Sequence, residues 1–340
     1  MIPANIRSRL GQHVGVTEDE RPLIDVRRVR DQPSDPPDYR KLRRGLDSKA
    51  VQRVGPGAFV LAKDWQKLSR REKHRVRVLE ALPRFRHPAL ISHLAAASVH
   101  GIEILGAWPD QIDVRVSSGG GGRSSGQIRR HTIGIDTADA VAWMGHLITT
   151  PAQTAIDIAA VVDHLQGVVV MDQVLWARRP GGPLASIDEL HILAQRVSPK
   201  GRARVHRALE DATALSDSVR ETQSRVLIRQ LGFPEPQLQK QFVLPQGRAR
   251  TDFYFPEHDH VGEFDGVGKY LDPELLAGRT PEEALIAEKD RADALTRLVR
   301  RVSRWRTPAL RRPRELYDIL VADGLPSRLP PQRHSLSSAR

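Results

Sequence analysis

Residues Arg248 to Tyr270 read RARTDFYFPEHDHVGEFDGVGKY, and this stretch decides how the C-terminal half of the chain folds. Thr251 to Phe255 is rich in β-formers, Pro256 to His260 is a polar turn, and Val261 to Phe264 is a second short strand, so the segment predicts a β-hairpin. Side chains alternate faces along a strand. Glu263 and Asp265 therefore project together, with Asp252 arriving on the neighbouring strand. Hard divalent ions take oxygen ligands, and carboxylates beside an ammonium such as that of Lys269 can activate water and stabilise a phosphoryl transition state. The expected chemistry is phosphodiester cleavage dependent on Mg2+ or Mn2+. The competing reading is a solvated hairpin in which Asp265-Gly266 only makes a turn.

Working outward, the order Asp252, Glu263, Lys269, preceded by Glu221 in a helical segment, resembles the restriction-endonuclease-like PD-(D/E)xK fold. Within that fold it is most similar to the small family related to the very-short-patch repair endonuclease. The pattern stands here as Asp252, then Glu263-Phe264-Asp265-Gly266, then Lys269-Tyr270. The flanks SVRETQSRVLIRQLGFPEPQLQKQF (Ser218 to Phe242) and EKDRADALTRLVRRVSRWRTPAL (Glu288 to Leu310) fit as well. The resemblance implies a mixed sheet flanked by helices and a Mg2+-dependent endodeoxyribonuclease. Its catalytic set would be Asp252, Glu263, Lys269 and Glu221, and its metal ligands Asp252, Glu263 and Asp265. The chain departs from the pattern at Asp265, which stands where a lysine usually follows the glutamate, so Lys269 is either a migrated lysine or part of a degenerate site. Glu221 either reaches the edge of the site or is an exposed helix charge paired with Arg225.

Charge points to the same partner. Lysine and arginine number 53 against 41 acids, giving +12, and a basic, arginine-rich surface attracts polyanions through counterion release. The bland cause of such a bias is a GC-rich genome. From Arg300 to Arg314, RRVSRWRTPALRRPR has seven arginines and no acid, which makes Arg300, Arg301, Arg304, Arg306, Arg311 and Arg312 the candidate DNA track. Trp305 either stacks on a base or packs in the core. Cysteine is absent, which excludes disulfides and thiolate metal sites. No run approaches the roughly 18 apolar residues of a membrane span, and the start lacks a signal-peptide core, so a cytoplasmic protein is expected.

The N-terminal half reads differently. VQRVGPGAFVL (Val51 to Leu61) alternates about a Gly-Pro-Gly turn and resembles the wing of an AbiEi-type winged helix, although the three reading helices before it are not recognisable. Ser69 to Leu94 reads as helical. SHLAAASVHGI (Ser92 to Ile102) and TTPAQTAIDIAAVV (Thr149 to Val162) resemble segments of the AbiEi-like antitoxins. His93 and His100 lack a third ligand and read as packing or capping residues, and Asp157 as a buried hydrogen-bonding group. SSGGGGRSSG (Ser117 to Gly126) lacks the Gly-Lys-Ser/Thr ending of a phosphate loop.

The expected fold class is therefore α/β, in its α+β form: a restriction-endonuclease-like C-terminal mixed sheet preceded by a small AbiEi-like α+β domain. The expected division is a poorly ordered segment at 1–38, a wing-like hairpin at 39–62, the AbiEi-like domain at 63–182, the nuclease-like domain at 183–325 and a disordered tail at 326–340. The alternative to an endonuclease acting in repair or defence is a non-enzymatic AbiEi-like antitoxin or transcriptional regulator. Such a protein would bind DNA through a degenerate nuclease fold, with a cognate toxin or its operator as partner.

Overall fold

The computed structural model describes residues 23–29, 44–117, 126–135, 137–244, 247–266 and 280–330, and the chain is of the mixed α/β class. It divides into two compact units. One runs to Leu175 and includes Gly181–Ala212; the other comprises Trp176–Pro180 and the chain from Thr213 on.

In the first unit, β1 (Arg27–Arg28), β2 (Val51–Gly55) and β3 (Ala58–Leu61) form an antiparallel sheet in the order β1-β3-β2. The alternating apolar residues of the hairpin thus make strands as expected. Residues 23–29, by contrast, lie in the segment expected to be poorly ordered. Leu23, Ile24 and Val26 instead pack on Val54, Ala58, Val60 and Val76, and Arg28 pairs with the buried Glu80. Helices α1 (Ala62–Lys67) and α2 (Arg70–Ala81) follow, the second opening on a capping box between Ser69 and Glu72.

The helical pattern expected to reach Leu94 stops earlier. Pro83 and Pro88 interrupt it, and Leu90–Ile91 becomes β4. After α3 (His93–His100) come β5 (Ile112–Arg115), β6 (Ile128–His131), β7 (Ala140–Trp143) and β8 (His146–Thr149). With β4 these strands make a five-stranded mixed sheet in the order β6-β5-β4-β8-β7. Two apolar residues suffice for the central strand because both are buried, between β5 and β8.

Helices α4 (Pro151–Ala159), α5 (His164–Leu175), α6 (Ile187–Ala194) and α7 (Pro199–Glu210) complete the unit. The last two were expected in the C-terminal domain. They pack instead on α4 and α5, so the division falls after Ala212 rather than at 182–183. Gly201 permits the close approach, since a Cβ there would lie 2.7 Å from that of Ala160.

A polar network lies largely inside this unit, with Arg129 at its exposed end. Asp157 accepts from Arg115 Nη1 at 3.0 and 3.2 Å and from Gln153 Nε2 at 2.8 Å. Asp113 accepts from Arg129 and His131, and the His131 ring stacks on His93 with centroids 3.6 Å apart. His100 Nε2 bonds the Thr149 carbonyl at 2.7 Å. Asp157, His93 and His100 are thus interior packing groups.

The second unit consists of α8 (Val219–Gln230), β9 (Gln237–Leu244), β10 (Gly247–Phe255), β11 (His260–Phe264), α9 (Pro281–Leu298), β12 (Arg301–Trp305), α10 (Thr307–Arg311) and α11 (Pro313–Ala322). Its four-stranded sheet has the order β12-β11-β10-β9 and is antiparallel except between β11 and β12. One face buries Phe253, Phe255, Phe264 and Trp305 with Ile228 of α8 and Leu316 and Leu320 of α11. On the other, Val261 meets Leu295 and Val299 at the end of α9. Trp305 is a core residue: its ring stacks on Phe253, and its Nε1 donates to Ser224 Oγ at 2.9 Å. The connecting segment joins this unit through Asp217, which accepts from Trp176 Nε1, Arg178 and Arg250.

Residues 326–330, expected in a disordered tail, are held to the unit. Ser327 Oγ donates to the Leu231 carbonyl and Tyr317 Oη to that of Leu329, while 331–340 lie outside the described residues. No helix among the described residues is long and apolar enough to cross a membrane.

Gly262 lies against the Trp305 ring with no room for a side chain. A Cβ there would stand 2.7 Å from Trp305 Cη2 and 3.0 Å from Cζ3. Gly262→Val is expected to cost roughly 1–3 kcal/mol through overpacking. A urea midpoint and a near-ultraviolet tryptophan signal both equal to those of the parent would contradict this packing.

Candidate functional site

The register of the second sheet assembles the predicted acids. Phe253 faces Gly262, so the next rung sets Asp252 opposite Glu263, and Glu263 is in turn aligned with Arg304 on β12. On the other side, Thr251 pairs with Lys240 and Phe253 with Leu238, which leaves Gln239 beside Asp252. Gln239 has a φ of 56°, and the ladder is interrupted there. One row therefore crosses the sheet from Gln239 through Asp252 and Glu263 to Arg304.

Each acid in or near this row is already engaged. Asp252 Oδ2 accepts the Phe264 N–H at 2.9 Å. Glu263 Oε1 accepts from both terminal nitrogens of Arg291 at 3.2 Å, and its Oε2 accepts from Arg304 Nε at 3.1 Å. The position of Arg291 follows from helix and strand repeats. Leu295 covers Val261; one turn earlier on α9, about 6 Å away, matches the ~6.6 Å between Val261 and Glu263 along β11. Asp265 donates its N–H to the Trp305 carbonyl, continuing the ladder, and its Oδ2 accepts from Arg306 Nε at 2.9 Å and Nη2 at 2.6 Å. The parallel pairing thus matches acids at 263 and 265 with arginines at 304 and 306.

Glu221 is neither an exposed charge nor free to turn outward. It is buried in the first turn of α8, where Oε2 accepts the Asp217 N–H at 2.9 Å and Gln239 Nε2 at 3.0 Å. Oε1 accepts from Ser218 Oγ at 2.9 Å, while that hydroxyl accepts the Glu221 N–H. Ser218 caps the helix, and the Glu221 carboxylate holds that hydroxyl in place. Through Gln239 it also reaches the β9 end of the row.

The expected three-carboxylate metal site of Asp252, Glu263 and Asp265 does not form. Among the described residues no group of three or more His, Asp or Glu is placed to hold a metal ion. Asp265 turns to Arg306, and two guanidinium groups flank Glu263. Magnesium, however, commonly uses only one or two carboxylates together with water and substrate phosphate. Asp252 and Glu263, on opposed rungs, suit that smaller requirement. Lys269 lies outside the described residues.

The arginine track divides. Arg304 and Arg306 pair with Glu263 and Asp265, and Arg312 pairs with Glu315 at 2.8 Å. Arg311 is exposed, and Arg300 and Arg301 sit at the other end of β12. A cavity of about 480 Å³ beside the row is lined by Asp265, Arg304, Trp305, Arg306, Pro308 and Glu315, among others. Among the described residues, Asp252, Glu263 and Asp265 meet Arg291, Arg304 and Arg306 along this side of the sheet, so these charges balance one another. Arg291 and Gln239 were not foreseen as site residues. The helical spacing from Leu295 carries a signal for the first, whereas the second depends on a backbone turn at one residue. No family model matches the chain, and no curated protein matches it.

Proposed function

We propose that this chain acts on the phosphodiester backbone of DNA as a divalent-metal-dependent endonuclease of the restriction-endonuclease-like type, in repair or in defence against foreign DNA. The observation that carries the reading is the placement of Asp252 directly across from Glu263 on adjacent strands of a mixed sheet flanked by helices. Asp252 and Glu263 would hold Mg2+ or Mn2+, which supplies Lewis acidity and an activated water when bound. The chain's own groups orient the site. Arg291 fixes the Glu263 carboxylate from the helix side, and Glu221 holds Gln239 beside the row. Arg304 and Arg306, at the wall of the 480 Å³ cavity, are the cations that a DNA phosphate meets, and they exchange carboxylate for phosphate oxygens. Lys269 keeps the role of the ammonium that orients water or neutralises the pentacovalent phosphate. The net charge of +12 favours a polyanionic partner.

A second reading rests on the arginine clamp itself. With two guanidinium groups on Glu263 and Asp265 in the usual lysine place, the same surface serves an AbiEi-like regulator that binds DNA without cutting it, with a cognate toxin or its operator as partner. Plasmid and single-stranded DNA incubated with the full chain in Mg2+, Mn2+ or EDTA separate the two. Nicking that requires metal supports the enzyme. Salt-sensitive binding with no nicking in either metal rejects it and leaves the regulator.

A further inference from the structure

A second cavity in the C-terminal unit, of about 160 Å³, is lined by His258, His260, Arg300, Arg301, Asp323 and Gly324, together with Ala322. It lies at the start of β11 and β12, whereas the acid row lies at their ends. Its electrostatics are unlike those of the row. Arg304, Arg306, Arg312 and Arg314 each pair with a carboxylate. Arg300 and Arg301 make no side-chain ion pair with any described residue, and neither has an interaction elsewhere in the described structure that would neutralise it. The N–H groups of Arg300 and Arg301 both donate to the Asp259 carbonyl, and that of Arg300 also to Asp259 Oδ2, which fixes the backbone from which the two side chains leave.

The one acid lining the cavity is already committed. Ser303 Oγ donates to Asp323 Oδ2 at 2.6 Å and bonds His260 Nε2 at 2.7 Å. A hydroxyl that donates to the carboxylate must accept from the ring, so His260 carries its proton on Nε2. The His260–Ser303–Asp323 chain therefore holds the Asp323 charge in place, while Arg300 and Arg301 have no carboxylate partner among the described residues. Guanidinium groups converging on a small polar cavity are the donor set for a tetrahedral oxyanion.

We infer that this cavity is a binding site for a phosphoryl oxyanion, supplied either as a free phosphate group or as the terminal phosphate of a nucleic-acid strand. Arg300 and Arg301 supply the charge-assisted hydrogen bonds. His258 lines the mouth, while Asp323 and the C-terminal carbonyls of α11 oppose the anion and keep its affinity modest. The inference is independent of cleavage at the acid row: a chain with no nuclease activity would still bind the anion here.

Calorimetric titration of the full chain with inorganic phosphate tests it. Arg300→Ala/Arg301→Ala together are expected to weaken binding by roughly tenfold or more, as loss of charge-assisted hydrogen bonds should. Lys67→Ala, which removes an exposed cation of the N-terminal unit paired with Asp64, leaves it unchanged. Asp323→Asn keeps an acceptor for Ser303, removes the single negative charge, and is expected to tighten phosphate binding several-fold. Absence of phosphate binding by the parent, an undiminished affinity in the double arginine variant, or no tightening in Asp323→Asn would each overturn the site. Comparison of one oligonucleotide with and without a 5′-phosphate identifies the source. A preference for the phosphorylated strand that vanishes in the double variant assigns the strand terminus, and equal binding of both strands alongside retained phosphate binding assigns a free phosphate.

Discussion

Asp252→Asn is expected to lower metal-dependent DNA cleavage by roughly 10²–10³-fold, the scale on which removal of one preorganised electrostatic group acts. The asparagine is chosen for its geometry. Asp252 Oδ2 accepts the Phe264 N–H, and an alanine would leave that donor without its partner, a loss of about 1–3 kcal/mol that mixes stability with chemistry. Asparagine keeps an acceptor oxygen for that N–H and deletes the charge. DNA affinity, measured by salt titration without metal, is expected to stay the same or to rise, because one repulsive charge near the phosphates has gone. A cleavage rate equal to that of the parent would remove Asp252 from the site. A parallel fall in rate and thermal stability would instead assign it to the hairpin alone.

The N-terminal unit is expected to be acid-labile through histidines that it buries uncharged. Burial lowers the pKa of His74 and His100 to about 4 and that of His93 well below the usual value. As pH falls from 6.5, the unfolded chain protonates these three rings while the folded unit does not, so stability is lost. Asp157 acts in the opposite sense. Burial, only partly offset by Arg115, raises its carboxyl to about 6, so between pH 6 and 3.8 the folded state holds one proton that the unfolded chain lacks. Near pH 5 His74 and His100 take up two protons on unfolding against one released by Asp157, a net loss of roughly 1.4 kcal/mol per pH unit, and the lowered pKa values of His93 and His146 add to it in the same direction. Burial disfavours the Asp113 carboxylate, but the hydrogen bonds from His131 and Arg129 outweigh it and hold the pKa at about 2, so the stability they add is lost only between pH 3.8 and 2. Urea unfolding at pH 7, 6 and 5, read from amide exchange in α5, measures the slope. His100→Asn should flatten it by about 1.4 kcal/mol per pH unit. Equal stability at pH 7 and pH 5 would contradict the neutral buried histidines.

Amino-acid order alone determined the local pieces. The β-formers at Thr251–Phe255, the turn at Pro256–His260 and the alternation through Glu263 and Asp265 depend on neighbours in sequence, and the hairpin they predict is the one present. The same is true of the hairpin from Val51 to Leu61 and of the helix that Thr150 and Pro151 start. Their signals are short-range: β-propensity, proline at a helix start, and a capping hydroxyl. What sequence could not carry was pairing between distant strands. Leu90–Ile91 reads as part of a helix until β5 and β8 close on both of its sides, and α6 and α7 carry apolar stripes that would suit either unit until Gly201 admits Ala160. The arginines at 304 and 306 read as a free cationic track because nothing nearby in sequence opposes them. Parallel pairing of β12 with β11 sets them against Glu263 and Asp265, and leaves Arg300 and Arg301, at the other end of the strand, without carboxylate partners among the described residues. Charge in a sequence is a property of each residue, whereas its neutralisation depends on what lies within a few ångströms, and only the tertiary structure decides that.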